Sequence, residues 1–421
     1  MTQGSKPWLS FDLATNFDDR LLEEAGRLGT VETVYGKMAA DFIGGGRPSI
    51  TLPQVSVSHL QRHIATAHRH NIQFNYLLNA LCLDNQEFIG PSHRQILVFL
   101  DWLVSLGIDA VTIANPYLLR LIKQRFPSLK VSVSIFCRAD SLVDAKSFEE
   151  MGADEITLDH SFTRNFPLLE AVLRVVRPQT SIRVIANNVC LHECPYKIAH
   201  GNLMAHSSQA KHQSGGFLID YYTLRCGWEK LRHPTKLITS DWIRPEDITF
   251  YEELARKAGH PLVIKLTDRQ RTTKWLIRML QAYSTRTWNG NLFDLINFIG
   301  NGGYQQLDRA KMASKVLGGN AKMLPMLNLE KATFLCPVEV DNTCLAGFLE
   351  GFINRDCQTQ TCDDRSWFGE DDFDQPSGSC SYCKNVARQV IRFDEKKRQE
   401  AMVLAEKVLA DLESSKMFVK R

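Results

Sequence analysis

The sequence predicts an α/β protein: a (β/α)8 barrel of the TIM type followed by a cysteine-rich C-terminal extension. Three observations predict it. Short, β-rich apolar runs alternate with amphipathic stretches over the first two thirds of the chain, and strands joined by helical crossovers run parallel. Several of those runs end in Asn, Asp or His, which gathers polar groups where barrels do their chemistry. The 421 residues suit one barrel with extensions as well as they suit about three domains of roughly 150 residues. An open doubly wound sheet is the rival reading of the same alternation.

Taken in order, strands are predicted at Phe11–Asn16, Val31–Lys37, Gln73–Asn79, Ala110–Asn115, Lys130–Ile135, Glu155–His160, Ser181–Asn188 and Leu262–Asp268. Helices are predicted between them at Asp18–Leu28, His59–His70, His93–Leu106, Tyr117–Arg125, Leu142–Met151, Phe166–Val176 and Pro245–Ala258. In the Phe166 stretch, Leu168, Leu169, Val172, Leu173 and Val176 recur at three- and four-residue steps, the period of a helix with one buried face. A helix from about Thr272 to Tyr283 closes the barrel, with Trp275, Met279 and Tyr283 on a core stripe. The polar strand ends are Asn16, Asn79, Asn115, Asp159-His160, Asn187-Asn188 and Thr267-Asp268. Each alone reads as a turn or helix cap; together they read as a polar-lined mouth.

The barrel is expected over residues 1–309, interrupted by a cysteine-bearing segment, 189–244, after the seventh strand. A connection that long on the functional face is usually part of the active site. Residues 310–421 form the extension, with an acidic Gly/Ser-rich loop (Gly369 to Gly378) and a final charged helix from about Asn385 to Lys416.

The apolar fraction of 44% and charged fraction of 23% are ordinary for a globular chain, which excludes wholesale disorder. A net charge of +3 disfavours binding to nucleic acid through the overall field, although it leaves local RNA contacts open. The longest apolar run, Ile96 to Val104, is broken by Asp101, so no membrane span is expected. Met1 to Asn16 lacks the apolar core of an export signal, and the expected compartment is the cytoplasm. In that reducing setting the 11 cysteines read as metal ligands rather than disulfides.

They fall into two groups. Cys190 and Cys194 leave the seventh strand at its C-terminal end, Cys226 ends Asp220-Tyr-Tyr-Thr-Leu-Arg-Cys, and Cys82 follows the third strand on the same rim. Converging thiolates there suit a 4Fe-4S cluster, which tolerates irregular spacing, or tetrahedral zinc. Cys357-x4-Cys362 and Cys380-x2-Cys383, two close pairs separated by a loop, predict a second four-thiolate site. It takes either zinc or a 4Fe-4S cluster, and the metal would help fold a small polar extension. Cys336 and Cys344 are expected to be packing residues.

Other chemistry is missing. His192-Glu193 lacks the second histidine of H-E-x-x-H, there is no G-x-S-x-G elbow, and Gly44-Gly45-Gly46 lacks the lysine of a phosphate loop. Among the histidines of the long segment, His192 stands between two expected ligands and is the candidate base. Lys265 and the run Thr267-Asp-Arg-Gln-Arg-Thr-Thr273 enter a helix N-terminus after the last strand. Barrels often bind anions there, so Arg269 and Arg271, with Lys265, are expected to hold a carboxylate or phosphate.

The segments Leu-Leu-Asn-Ala-Leu-Cys82, Ile-Thr-Leu-Asp-His160, Asn187-Asn-Val-Cys-Leu-His-Glu-Cys-Pro195, Asp220-Tyr-Tyr and Trp242-Ile-Arg-Pro-Glu246 resemble the peptidase U32 family over about residues 10 to 300. The family was named for collagenase-like proteolysis. The resemblance also implies another activity: several members are iron–sulfur proteins that hydroxylate ubiquinone precursors, ribosomal RNA or transfer RNA without molecular oxygen, some with prephenate as oxygen donor. It implies that Cys190, Cys194 and Cys226 are cluster ligands. This chain's first pair is closer than usual and the following cysteine cluster is absent, which leaves Cys82 or an open iron for the fourth position.

The sequence reading is therefore an iron–sulfur redox enzyme hydroxylating a small molecule, an RNA base or a peptide that carries an anionic group. Asn188, His192 and Asp159 are expected to position substrate or move protons. The second cluster would relay electrons or staple the extension. Two alternatives from other classes are a U32-type peptidase or peptide-modifying enzyme, and a non-catalytic subunit that binds RNA or a partner enzyme.

Overall fold

The computed structural model describes residues 7–210, 212, 219–302, 336–353, 381–414 and 416. Eight parallel strands close into a barrel in sequence order: β1 (Leu9–Ala14), β2 (Val31–Gly36), β3 (Gln73–Leu78), β4 (Ala110–Ile113), β5 (Lys130–Val133), β6 (Glu155–Thr157), β7 (Ser181–Ile185) and β8 (Leu262–Leu266). Closure is direct, since Leu9 of β1 lies opposite Leu262 of β8. All eight expected strands are present, and the open sheet is excluded.

Each strand stops before its polar end because the polar side chains turn the chain. Asn115 accepts from the Tyr117 amide at 2.9 Å and Asp159 from the Ser161 amide at 3.1 Å, each capping the turn that follows. The crossover helices are α1 (Asp19–Leu28), α2 (Val57–Arg69), α3 (Gly90–Ser105), α4 (Pro116–Arg125), α5 (Leu142–Glu150) and α6 (Phe166–Val175). After β7 the long segment folds as α7 (Lys197–Ser208), α8 (Tyr221–Arg232) and α9 (Thr235–Thr239) before α10 (Ile248–Ala258). Past β8, α11 (Thr273–Thr285) buries Trp275, Met279 and Tyr283, the expected stripe. No helix among the described residues is long and apolar enough to cross a membrane.

The barrel interior holds a charged network where branched apolar layers are usual. Arg183 of β7, fully buried, places Nε 2.6 Å from Asp12 Oδ2 on β1 and a terminal nitrogen 2.9 Å from Glu155 on β6. Lys265 of β8 lies 3.9 Å from the same Asp12. Asn75 of β3 donates to Glu155 and accepts from Thr112 of β4 at 2.8 Å.

Part of the described extension continues the barrel's core. The extension contributes β9 (Val338–Val340), α12 (Glu350–Ile353), α13 (Tyr382–Val390), β10 (Ile391–Phe393) and α14 (Glu395–Glu413). Val338, Val340, Phe348 and Phe352 belong to the same buried cluster as the barrel side chains. Phe348 stacks on Trp242 at 5.4 Å, and the Arg164 guanidinium lies 4.2 Å over the Trp242 ring. The expected single helix over Asn385–Lys416 is two helices. Ile391 and Phe393 pair with Val340 and Val338 as an antiparallel strand, and Asp394 then caps α14 by accepting from the Lys397 amide at 3.1 Å. Cys336 is buried as a packing residue, whereas Cys344 is exposed with its thiol 3.3 Å from Asp341. Cys357, Cys362, Cys380 and the acidic loop lie outside the described residues; Cys383 is buried on α13.

A second polar chain ties α2 to the start of α1. Thr15 Oγ1 is 2.8 Å from His63 Nε2, and His63 Nδ1 is 2.6 Å from Asp19 Oδ1. Burial, opposed by Asp19, holds the His63 pKa below its ordinary value of 6.5.

Two predictions follow from these networks. Arg183→Ala strands two buried carboxylates and should cost about 3–5 kcal/mol, read as a fall in the urea unfolding midpoint or as failure to fold. For His63, the unfolded chain takes up a proton before the folded chain does. Its contribution is therefore complete above about pH 6.5 and declines as the pH falls towards the folded value, by about 1.4 kcal/mol per unit of displacement. The melting temperature should drop between pH 7.5 and 5.5, and His63→Gln should flatten that slope.

Candidate active site

The mouth forms where β6, β7 and β8 end. Asn187 and Asn188 project to opposite sides. Asn187 is buried and clasps β8, its Oδ1 accepting from the Thr267 amide at 2.6 Å and its Nδ2 donating to the Thr267 carbonyl at 3.1 Å. Asn188 turns into the mouth, with Nδ2 3.3 Å from Cys190 Sγ and 3.0 Å from His160 Nε2.

The loop from Cys190 to Cys194 doubles back on itself. Leu191 and His192 are buried, and His192 Nδ1 lies 2.7 Å from Asp241. Glu193 then adopts a left-handed φ of +48°, a conformation a non-glycine residue keeps only when its neighbours over-determine it. Anchored this way, Cys190 and Cys194 come within each other's electrostatic reach, and α8 brings Cys226 to both. Lys230, one turn along α8, places Nζ 3.5 Å from Cys226 Sγ.

The three thiols differ. Cys190 is open to solvent yet surrounded by protein. Desolvation opposes its ionisation, but the hydrogen bond and charge of His160, with Lys230 and Lys197 beyond, bring it down to about 6. Cys194 is pushed up to about 11 by burial and by its two neighbouring thiols, and burial raises Cys226. Among the described residues no three or more His, Cys, Asp or Glu side chains are grouped closely enough to hold a metal ion as they stand, these three thiols included. The contacts of Cys82 belong to a different set: its thiol accepts from the Asp84 amide at 3.3 Å and its carbonyl accepts from Gln209 at 2.7 Å.

α7 crosses the mouth. At its start Lys197 pairs with Asp159, so Asp159 serves as a cap and ion-pair partner; burial alone would raise its pKa, but Lys197 and His160 hold it low. Midway, Gly201 packs closely under the Leu81 side chain. At its end Ser208 Oγ accepts from the Gly45 amide at 2.7 Å, closing the loop after β2 over the barrel.

The residues expected to form an anion clamp are placed differently. Arg271 cannot serve: it has 0% exposure, is bound to Asp268 at 2.7 Å and donates to the Phe298 carbonyl at 3.1 Å. Asp268 itself sits at φ +97°, and this pair holds the turn that presents Arg269. Lys265 lies 4.1 Å over the Tyr35 ring and is lowered to about 8, by burial first, against the attraction of Asp12. His160, Lys197 and Lys230 were not expected as site residues. His160 carried a signal as a polar strand end; the two lysines carried none.

Residues 42–165 match the profile of Peptidase family U32. A Methanocaldococcus jannaschii protein named Uncharacterized protease MJ1657 is 30% identical over 257 residues, which are 61% of this chain and 73% of that protein. The tRNA hydroxylation protein P of Escherichia coli is 24% identical over 154 residues, 35% of this chain and 32% of its own length. The solved structure of the U32 peptidase Mk0906 superposes with a TM-score of 0.46 at 19% identity, covering 64% of this chain and 95% of that one.

α8 is held from behind by α14, where Ala405, Val408 and Leu409 cover Leu224 and Trp228. Trp228 Nε1 donates to Glu406 at 3.2 Å, and Arg398 donates to the Leu231 carbonyl at 2.7 Å. Leu409→Ala should cost about 2–5 kcal/mol at this junction. The expected readout is red-shifted Trp228 emission and faster proteolysis around α8, with the barrel's far-ultraviolet spectrum retained.

Proposed function

The chain belongs to peptidase family U32, and from that premise we propose that it is a cytoplasmic iron–sulfur enzyme that hydroxylates an organic substrate in the barrel mouth without molecular oxygen. The observation that supports this reading is that Cys190, Cys194 and Cys226 lie within one another's electrostatic reach, beside His160, Lys197 and Lys230. Thiolates are the ligands iron–sulfur clusters take, and neighbouring cations offset the negative charge they gather. The name of the Escherichia coli relative points the same way.

In this reading the three cysteines would hold a 4Fe-4S cluster, with the fourth position left to Cys82 or to substrate. When bound, the cluster would supply electron transfer and an iron Lewis acid. The chain's own residues do the rest. Asn188 holds His160 and Cys190 in one hydrogen-bonded group, where His160 can take or return a proton. His192, fixed to Asp241, orients the cysteine loop, a positioning role in place of the expected base. Asp159 sets Lys197 towards the thiols. A second site on Cys357, Cys362, Cys380 and Cys383 would hold a further cluster or zinc.

One observation favours a peptidase as the second reading. Cys190, His160 and Asn188 together form a cysteine–histidine–asparagine set, and Cys190 is accessible. The Asp19–His63–Thr15 chain offers no such site, because Thr15 is wholly buried.

Anaerobic purification with iron and sulfide analysis separates the readings. About eight irons per chain are expected if both sites hold 4Fe-4S clusters, and the Cys190→Ala, Cys194→Ala double variant should lose about half. Stoichiometric zinc without iron overturns the redox reading. So does peptide hydrolysis by metal-free protein that Cys190→Ser abolishes.

A further inference from the structure

The charges lining the mouth do not balance. Lys37 pairs with Asp41 at 3.0 Å, Arg271 with Asp268, and Arg183 with Asp12 and Glu155, while Lys265 shares Asp12 at a longer 3.9 Å. Two guanidinium groups remain. Arg269, on the loop after β8, is 5% exposed, and its Nη1 is buried with no hydrogen-bond partner. Arg47, on the loop after β2, donates to the Gly46 carbonyl at 3.1 Å and has no carboxylate partner among the described residues.

Each guanidinium lies in the other's field: after burial, repulsion from Arg47 is the main influence bringing Arg269 down to about 10. The surrounding polar groups offer no relief. Tyr35 donates its hydroxyl to the Leu266 carbonyl at 2.9 Å, and Tyr76 donates to Asp41 at 2.9 Å. Burying a guanidinium without a counter-ion is unfavourable, yet this fold buries Arg269 and holds the half-buried Arg47 in its field. The left-handed turn at Asp268, fastened by Arg271, presents Arg269. The bond between Gly45 and Ser208 at the end of α7 holds the loop that carries Arg47.

We propose that Arg269 and Arg47 form an oxyanion subsite that binds a carboxylate or phosphate group of the substrate between the two loops. The planar donor forks of two arginines match such a group, donating bidentately to its oxygens. Tyr35 and Tyr76 wall the subsite, and Lys265 adds charge beneath it. This deepens the proposed function by giving the substrate an anionic handle, and it rests on the reading that the mouth is where substrate binds.

Calorimetric titration of the full chain as purified, with inorganic phosphate in one arm and malonate in the other at constant ionic strength, tests it. Saturable binding of at least one anion is expected, and the tighter arm identifies a phosphate- or a carboxylate-bearing substrate. Arg269→Gln and Arg47→Gln should each weaken that binding at least tenfold, and Arg269→Lys should weaken it less, because lysine keeps the charge without the fork. Without anion, Arg269→Gln should melt no lower than the parent, since it removes an uncompensated buried charge. If Arg269→Gln does not fold, Arg47→Gln carries the test from a half-buried loop position. No saturable binding of either anion overturns the proposal, and so does binding that both glutamine variants leave unchanged. Because no turnover is measured, the Cys190→Ala, Cys194→Ala variant should still bind the anion, so failure of the cluster reading and failure of this one are told apart.

Discussion

The barrel depends on a guanidinium that no solvent reaches. Arg183 joins β7 to β1 through Asp12 and to β6 through Glu155, and Glu155 passes the connection through Asn75 to β3 and through Thr112 to β4. Apolar packing already disfavours a register slip, and a buried ion pair adds the demand of a narrow geometry. A one-residue slip of β7 would turn Arg183 out of the barrel and leave both carboxylates uncompensated. The network therefore selects the strand register as well as stabilising it. It also shapes what lies above: Asp12 is shared between Arg183 and Lys265, so Lys265 keeps an incompletely answered charge at the floor of the mouth.

The mouth is built by two turns that run against backbone preference. Glu193 and Asp268 both lie in the left-handed region, and neither is a glycine. Glu193 follows a buried pair, His192 with Asp241, and Asp268 belongs to one, with Arg271. Strain of this kind persists only where the surroundings over-determine it, and here the surroundings are charged contacts in the dry interior. The first turn returns Cys194 towards Cys190. The second puts Arg269 into the mouth. Because β7 and β8 are neighbours in the barrel, the loops that carry the first two thiols and the guanidinium leave adjacent strands.

The alternation of strands and helices was legible because it is local: a buried parallel strand needs an apolar run and a crossover helix needs an apolar stripe. The strand ends were overestimated, because Asn115 and Asp159 look like continuing strand but cap the next turn. Cys190, Cys194 and Cys226 were legible as a type of residue in a type of place. Lys230 and Lys197 were not, since a lysine in a helix looks the same whether it faces solvent or a thiol. The choice between Arg269 and Arg271 was also hidden, as two residues in one turn differ only in which finds Asp268. The single helix expected at the end of the chain failed for a related reason: Ile391 and Phe393 suit a helix face as well as a strand, and only β9 decides between them.

The extension has a structural task that does not depend on a second metal site. α8 carries both Cys226 and Lys230, and Leu224 and Trp228 of the same helix pack on Ala405, Val408 and Leu409 of α14. A chain ending after α11 would contain every strand of the barrel and every ladder that closes it. It would also present Leu224 and Trp228 to water, which removes much of the reason for α8 to dock. The thiol group is thus divided between a part the barrel supplies, on the loop after β7, and a part the last helix keeps in place. Closing the sheet and assembling the site are separate events in this fold, and the second requires residues more than a hundred positions beyond β8.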